Sequence, residues 1–419
     1  MHFIQEGEFM TSYVLKSKDR DVARFELAPG TRGGYSLSVD WIIEDDCLLP
    51  VSFDGTNCSL MNWLESRTIP GNRAFAREIL RSQGLRQGDL IGQLTVSLGL
   101  SVNDTYWIVP QNAELKWKDC SLYRNSFSEP LSLVAFTGCS QAKIPEPSPS
   151  PEMTTNGQLP KTWRREGEQL ILYKGATDPA LYTNGGREPY SEYYAAQVAE
   201  AMGIEHVSYD LRQFKGILAS TCRNFTSEDR AYIPAGKLLK TSNLDELHDL
   251  MEKTGSSQKF SDMVLLDAVI WNEDRHFGNF GFLQDTETGE ILTLAPCFDH
   301  GLSLFSRLTD DKLFDDAAFQ EYLEDTAFSL AGGLHNDLVR WNATKEDVKK
   351  LRKLYNFQFR RHKKYNLSEK RLAFLEKWIQ NRARELTRLL ENEGGSKLSA
   401  KYSPLDSQAL PTSSEVLPI

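Results

Sequence analysis

The sequence predicts an α+β protein of more than one domain, with a strand-rich region followed by a helix-rich region. Three observations lead to this prediction. The chain has 419 residues, more than the roughly 250–300 at which a single hydrophobic core stops growing. A segment rich in Pro and Ser, "AKIPEPSPSPEMTTNGQLP" (142–160), divides the chain. After it, strand patterns come first and helix patterns later.

Composition limits the class of protein. A net charge of −10 and a pI near 5.4 give no support for a protein that coats nucleic acid, so direct nucleic-acid binding is not expected. The N-terminus lacks a secretory pattern, and the longest apolar run, "MVLLDAVIW", is too short to span a membrane. Six scattered cysteines without a CxxC pair indicate reduced thiols and no zinc site. We expect a cytoplasmic protein with no membrane contact.

The part before the Pro/Ser-rich segment is predicted to be a mixed α/β domain. "YSLSVDWIIED" and "DTYWIVP" have the β-branched and aromatic content of strands, and "GNRAFAREILRSQG" has the pattern of a helix ended by Gly84. No group of residues here suggests catalysis. The predicted boundaries are an N-terminal accessory domain of unclear function (1–141), a linker (142–152), a small lobe (153–226), a helical large lobe (227–395) and a disordered tail (396–419).

The remaining elements follow from periodicity and turn signals. "KTWRREGEQLILYKG" reads as a hairpin, "YSEYYAAQVAEAMG" as a helix closed by Gly203, and "FSDMVLLDAVIW" as a buried helix. "FGFLQDTETGEILTLA" reads as a second hairpin that turns near Gly289. Two late helices are predicted over 344–355 and 368–392, the second beginning at Ser368.

The stretch "WNEDRHFGNFG" (271–281) places polar residues directly behind the buried helix. Asp274 and Asn279 are five positions apart, and the second hairpin returns the chain to Asp299, two residues before Gly301. Two carboxylates and an amide that converge in this way could hold a hard cation through oxygen ligands and leave one carboxylate to orient a nucleophile. Phosphoryl transfer needs those parts, and the protein kinase catalytic loop has an Asp, an Asn five positions later, a hairpin and a metal-binding Asp.

A kinase also needs a lysine on a strand, an acid on a helix and a loop over the phosphates. Lys174 ends "QLILYK" on the same strand face as Leu170 and Leu172, where a lysine is costly unless it is paired. Glu192 lies on the inward stripe of the next helix and is a suitable partner. Upstream, Gly157 and Lys161 belong to a short loop whose backbone amides could cradle phosphates.

Five segments, "TTNGQLPK", "LILYKG", "SEYYAAQVAEAMGI", "NEDRHFGNFGFL" and "LAPCFDHGLSL", resemble the HipA-like bacterial serine/threonine kinases, in the same order and over residues 150–392. The resemblance implies a two-lobed protein-kinase-like fold, ATP and Mg²⁺ as cofactors, and a protein substrate. Because some of these kinases are toxins of toxin–antitoxin pairs, it also implies a small helix-turn-helix antitoxin-like protein as a partner.

Position by position, the resemblance implies Asp274 as the catalytic base, Asn279 and Asp299 as Mg²⁺ ligands, and Lys174 as the phosphate-binding lysine oriented by Glu192. The nucleotide is expected to contact the loop residues Thr155, Asn156, Gly157 and Lys161, the hinge residues Cys222 and Arg223, and His276. Thr154 is the candidate for autophosphorylation. Asn156 departs from the family, because many relatives have a second glycine there.

Other interpretations of the same residues stay open. The Asp/Asn set can be a polar loop that satisfies its own backbone, Lys174 and Glu192 can be a surface pair, and Gly157 can be an ordinary turn glycine. His276 can brace the loop instead of touching nucleotide. At the level of function, the alternatives are a non-catalytic nucleotide-binding module that acts through a protein partner, and a metal-dependent phosphohydrolase.

Overall fold

The structure is a computed structural model, and it describes residues 11–30, 33–139, 147–239 and 244–392. The predicted mixture of sheets and helices is confirmed, with three antiparallel sheets in the described residues. The predicted tail at 396–419 and residues 142–146 of the predicted linker lie outside them.

The N-terminal part of the chain, which comprises the described residues up to 139, contains a four-stranded sheet of order β3-β2-β1-β4. Its strands are β1 (Thr11–Ser17), β2 (Arg20–Pro29), β3 (Tyr35–Ile42) and β4 (Tyr106–Pro110). Its helices are α1 (Asn57–Glu65), α2 (Ala76–Ser82), α3 (Leu90–Ser97), α4 (Trp117–Cys120) and α5 (Glu129–Thr137). Strands β3 and β4 confirm the two predicted strands. The predicted helix is shorter than expected because α2 begins only at Ala76, although Gly84 follows it with a left-handed φ of 71°.

A second four-stranded sheet, of order β5-β6-β8-β7, follows the Pro/Ser-rich segment. The predicted hairpin is confirmed as β5 (Lys161–Glu166) and β6 (Gln169–Lys174), and the predicted helix as α6 (Glu188–Met202). Gly203 ends α6 with a φ of 80°, which a glycine adopts without the strain that a side chain would cause. Strands β7 (Tyr209–Phe214) and β8 (Ile217–Arg223) complete the sheet.

The rest of the chain combines a three-stranded sheet with helices. The sheet, of order β11-β10-β9, consists of β9 (Arg230–Pro234), β10 (Gly281–Asp285) and β11 (Ile291–Leu294). The helices are α7 (Ala235–Leu238), α8 (Leu244–Lys253), α9 (Ser257–Ile270), α10 (Asp310–Leu313), α11 (Asp316–Asp325), α12 (His335–Asn342), α13 (Val348–Arg352) and α14 (Glu369–Asn392). No helix in the described ranges is long and apolar enough to cross a membrane.

Two predictions about the late helices need correction in detail. The helix expected over 344–355 is a short 3-10 turn, Lys345–Asp347, followed by α13, which already ends at Arg352. The long final helix is confirmed, and the Ser368 hydroxyl accepts a hydrogen bond from the Arg371 amide at its first turn (3.2 Å).

The N-terminal part shares hydrophobic cores with the second sheet. Trp107 and Trp117 pack with Trp163 of β5 in one cluster, while Phe136 of α5 packs with Tyr173 of β6 in another. Residues 150–152, at the end of the predicted linker, are buried. Met153 follows them at the start of the predicted small lobe, and its buried side chain packs with α2 and α5. The chain just before the predicted phosphate loop is therefore embedded in the N-terminal part.

Candidate active site

A buried ion pair holds the polar loop that follows α9. Trp271 ends the helix in the left-handed conformation (φ 52°). Arg275 then donates to both oxygens of Asp267, from Nε at 2.8 Å and from Nη2 at 3.0 Å, and Asn272 donates to the same carboxylate at 2.8 Å. Burial alone would lower the pKa of Arg275, but the Asp267 carboxylate outweighs it and holds that pKa above its ordinary range. The polar residues are thus mutually satisfied inside the protein.

Arg275 also fixes where the loop residues lie relative to the second hairpin. Its Nη1 donates to the carbonyl of Asn279 at 2.6 Å and to that of Phe298 at 3.0 Å. Phe298 directly precedes Asp299, so one guanidinium connects the segment bearing Asp274 and Asn279 to the segment bearing Asp299. Sequence reasoning had given Arg275 no role. The sequence did contain a signal for its role, because Asp267 is a carboxylate inside an apolar helix and therefore needs a buried cationic partner.

Asp274 and Asn279 are in direct contact. The Asn279 side-chain amide donates to the Asp274 carbonyl at 2.9 Å and to its Oδ2 at 3.3 Å. Burial raises the pKa of the Asp274 carboxyl, His276 opposes this rise and the Asp299 carboxylate adds to it. The Asp299 carboxylate is therefore close enough to Asp274 to raise its pKa.

Lys174 lies between two carboxylates. Its ammonium is 2.8 Å from Glu192 Oε1 and also pairs with Asp299. Burial alone would raise the pKa of Asp299, but the ammonium groups of Lys174 and Lys161 outweigh it and hold that pKa below its ordinary value. The predicted pairing of Lys174 with Glu192 is present, and the Glu192 side chain is 1% exposed, which excludes the alternative of an ordinary surface pair.

Glu192 also binds the backbone that follows Asp299. Its other oxygen, Oε2, accepts a hydrogen bond from the His300 amide at 2.8 Å. The Ser191 hydroxyl donates to the His300 and Ser303 carbonyls at 2.6 and 2.8 Å. Helix α6 therefore fixes both Lys174 and the backbone that follows Asp299, whose own φ is 60°.

An unpaired positive charge lies at the end of the predicted phosphate loop, where Lys161 is already the first residue of β5. Gly157 has a φ of 102°, and a Cβ built there would overlap the Lys161 ammonium. Within the described residues, Lys161 forms no ion pair. Burial and the nearby Lys174 lower the pKa of Lys161 to about 8. The Lys161 ammonium beside the turn at Gly157 is a cation that could bind an anion, while Asn156 is exposed.

The two threonines before this glycine are packed rather than free. Thr154 is 9% exposed, and its hydroxyl donates to the Leu100 carbonyl of the N-terminal part at 2.8 Å. The Thr155 hydroxyl donates to the Pro151 carbonyl at 2.7 Å and accepts from the Trp163 indole at 3.1 Å.

The predicted hinge residues lie at the end of β8. Cys222 pairs with Leu172 across the sheet, so its side chain lies on the same face as Lys174, towards the charged cluster of Lys161, Lys174, Glu192 and Asp299. Burial raises the pKa of the Cys222 thiol to about 12. Arg223 is exposed. A cavity of about 540 Å³ touches this strand end and is bounded by residues 206–210, 221–225 and Pro296 among others, but none of the charged residues of the cluster lines it.

His276 is exposed, and its Nδ1 accepts a hydrogen bond from the Gly278 amide at 3.0 Å. This contact favours a bracing role in the loop.

Two further residues near the site were not assigned to it from the sequence. Tyr209 accepts a hydrogen bond from the Asp299 amide at 3.3 Å, and Glu273 bonds to the Tyr322 hydroxyl. Burial raises the pKa of Glu273 to about 7.

The predicted resemblance is confirmed by comparison with known proteins. Serine/threonine-protein kinase CtkA of Helicobacter pylori is 28% identical to this chain over 145 residues, which are 31% of this chain and 43% of CtkA. The chain thus spans less than half the length of this curated relative. No protein-family model matches the chain.

Two solved structures are similar in part. A crystal structure of the H. pylori proinflammatory kinase CtkA has a TM-score of 0.46 at 19% identity, covering 58% of this chain and 95% of that chain. HipA from Shewanella oneidensis, solved in a toxin–antitoxin complex with HipB and operator DNA, has a TM-score of 0.49 at 12% identity, covering 90% and 99%. At these scores the likenesses add nothing to the assignment made from sequence.

Proposed function

The chain is a relative of HipA-like serine/threonine kinases, and from this premise we propose that it is an ATP- and Mg²⁺-dependent serine/threonine protein kinase with a two-lobed fold. The observation that carries the proposal is the position of Lys174 between Glu192 and Asp299. A lysine oriented by a helix carboxylate is the arrangement that binds α- and β-phosphates in protein kinases.

The charges of the cluster fit a metal-bound triphosphate. Lys161 and Lys174 supply two cations for the phosphates, and Asp299 with Asn279 supplies oxygen ligands. In the part of the chain that the structure describes, no group of three or more His, Cys, Asp or Glu side chains is placed to hold a metal. Asp299 and Asn279 would hold Mg²⁺ together with the phosphates, and the ion would supply neutralisation of charge on the transferred group.

The residues of the chain then have defined tasks. On nucleotide binding, Lys174 would exchange its contact with Asp299 for the phosphates, and the Asp299 carboxylate would then be able to hold Mg²⁺. Asp274 holds the substrate hydroxyl and accepts its proton while the hydroxyl oxygen bonds to the γ-phosphorus. The bond between that phosphorus and the bridging oxygen breaks, and ADP leaves. Asn279, through its bond to Asp274, keeps the base in place.

The proposal is tested by incubating the protein with Mg²⁺ and ATP labelled in the γ-phosphate. We expect label on the protein itself or on added protein, and none with Asp274→Asn. The matched control is Asp249→Asn, because Asp249 is an exposed carboxylate on α8. This variant should behave as the wild type. Absence of label with the wild type would contradict the proposal.

A second measurement tests the alternative, a non-catalytic nucleotide-binding module. Calorimetry that shows Mg²⁺–ATP binding, together with no transfer of label in the first experiment, would favour that module. An antitoxin-like helix-turn-helix partner stays a prediction, because it follows only from the family resemblance.

A further inference from the structure

Arg73 connects the N-terminal part of the chain to both ends of the predicted phosphate loop. It lies between α1 and α2, and its side chain is 0% exposed. Its Nη2 is 2.6 Å from Glu152 Oε2 and donates to the Lys161 carbonyl at 3.3 Å, while Nη1 donates to the Glu152 carbonyl. Glu152 precedes the loop and Lys161 follows it, so one guanidinium contacts the chain on both sides.

Glu152 strengthens this connection with its second oxygen. Its Oε1 accepts hydrogen bonds from the Thr162 hydroxyl and the Trp163 amide, both at 2.8 Å. Glu152 is also 0% exposed. A buried carboxylate with an arginine and two further donors is fully satisfied, and loss of one partner from such a group is costly. The segment before the loop and the strand after it are thereby tied together.

The loop itself has little other support. Residues 156–159 take part in no backbone hydrogen bond with other described residues, and Asn156 and Gln158 are exposed. The position of Gly157, and of the amides around it, is therefore set by the two ends of the loop. Arg73 contacts the Glu152 and Lys161 carbonyls at these ends, in addition to the bonds that the Thr154 and Thr155 hydroxyls make.

We propose that Arg73 is a positioning residue through which the N-terminal part controls the affinity of the phosphate loop for nucleotide. This inference rests on the proposed kinase function. Backbone amides bind phosphate well when they are already aligned, because ordering them on binding costs entropy. The buried guanidinium supplies this alignment before nucleotide arrives, and displacement of the N-terminal part would remove it.

The chain contains a matched control for this proposal. Arg67 is another buried arginine of the N-terminal part, and it pairs with Asp104 at 3.1 and 2.7 Å. It does not touch the phosphate loop. Arg67→Ala and Arg73→Ala therefore both remove a buried guanidinium from the same region, but only Arg73→Ala releases the loop.

Two measurements test the proposal. With labelled ATP, Arg73→Ala should raise KM for ATP by about tenfold, the size expected for one buried charged hydrogen-bond partner, with much less change in kcat. Arg73→Lys, which can reach fewer acceptors, should be intermediate, and Arg67→Ala should keep the wild-type KM. Hydrogen exchange of the nucleotide-free protein should be faster at the hydrogen-bonded amides of Thr155 and Trp163, at the two ends of the loop, in the Arg73 variants only.

The outcomes are distinct. The proposal would be overturned if Arg67→Ala and Arg73→Ala had equal effects on KM and on hydrogen exchange at the loop ends. It would also be overturned if neither variant had an effect. If the wild type does not bind Mg²⁺–ATP, the kinase proposal fails while the exchange experiment still decides whether Arg73 holds the loop. If Arg73→Ala does not fold, Arg73→Lys and Glu152→Gln provide the same comparison, and unchanged exchange in both would refute the role.

Discussion

Arg275 donates two hydrogen bonds to the carboxylate of Asp267, at 2.8 and 3.0 Å, and their side chains are only 1% and 3% exposed. The pair joins helix α9 to the loop that carries Asp274. Through Nη1, Arg275 also donates to the carbonyl of Phe298, the residue before Asp299. The candidate catalytic residues are thus positioned by an ion pair to which we assign no part in the reaction itself.

We predict that Asp267→Ala destabilises the protein by about 3–5 kcal/mol, because it leaves the Arg275 charge buried without its counter-ion. Urea denaturation measures this change. Glu346→Gln is the control: Glu346 forms an exposed pair with Lys349, and such pairs contribute about 0–1 kcal/mol. A loss for Asp267→Ala no larger than that of the control would show that the buried pair does not hold the loop.

Lys174→Met should lower kcat/KM for ATP at least about 100-fold, since it removes a charge that the phosphates contact. Glu192→Gln should have a smaller effect. The double variant should be little worse than Lys174→Met, because residues that act as a unit are not additive. Labelled-phosphate kinetics provides the measurement.

The control for Lys174 is Lys350→Met. Lys350 also lies between two carboxylates, Asp262 and Asp347, and neither of these belongs to the candidate active site. This variant should lose stability while the folded fraction keeps its kcat/KM. A comparable loss of activity in both variants would indicate a general folding defect.

The affinity for ATP should fall as the pH rises through about 8. Burial and Lys174 lower the pKa of Lys161 to about 8, so this lysine is charged below that pH and neutral above it. Only the charged form attracts phosphate. We expect KM for ATP to rise between about pH 7.5 and pH 9.5, and this rise to be much smaller in Lys161→Arg, because arginine stays charged. The same pH dependence in both proteins would exclude Lys161 as its source.

If the chain phosphorylates itself, mass spectrometry should locate the phosphate on Thr154, and Thr154→Ala should remove it while Thr155→Ala retains it. The Thr154 hydroxyl is buried and bonded to Leu100, so the segment must leave its place for the reaction. A phosphate group adds charge that this buried place cannot accept. We therefore expect phosphorylated protein to be cleaved faster by protease near residues 150–160; label on Thr155 alone would contradict the assignment.

Much of the site was predictable because its chemistry follows short-range patterns. Strand alternation placed Lys174 on an inward face, helix periodicity placed Glu192 opposite it, and a hairpin returned the chain to Asp299. These rules act over a few residues, and the backbone geometry of strands and helices enforces them. The N-terminal part was harder, since β1, β2 and most of its helices were not identified from their weaker patterns.

The sequence by itself determined which residues carry charge at the site and in which order they occur. The tertiary structure alone decided what holds them. Arg73 and Glu152 are 79 positions apart, and no local pattern relates them; they meet because the N-terminal part and the second sheet bury their apolar faces against each other. Asp267 likewise looked like an interruption of an apolar helix until the fold supplied Arg275. Buried charges are tolerated only where distant segments provide their partners.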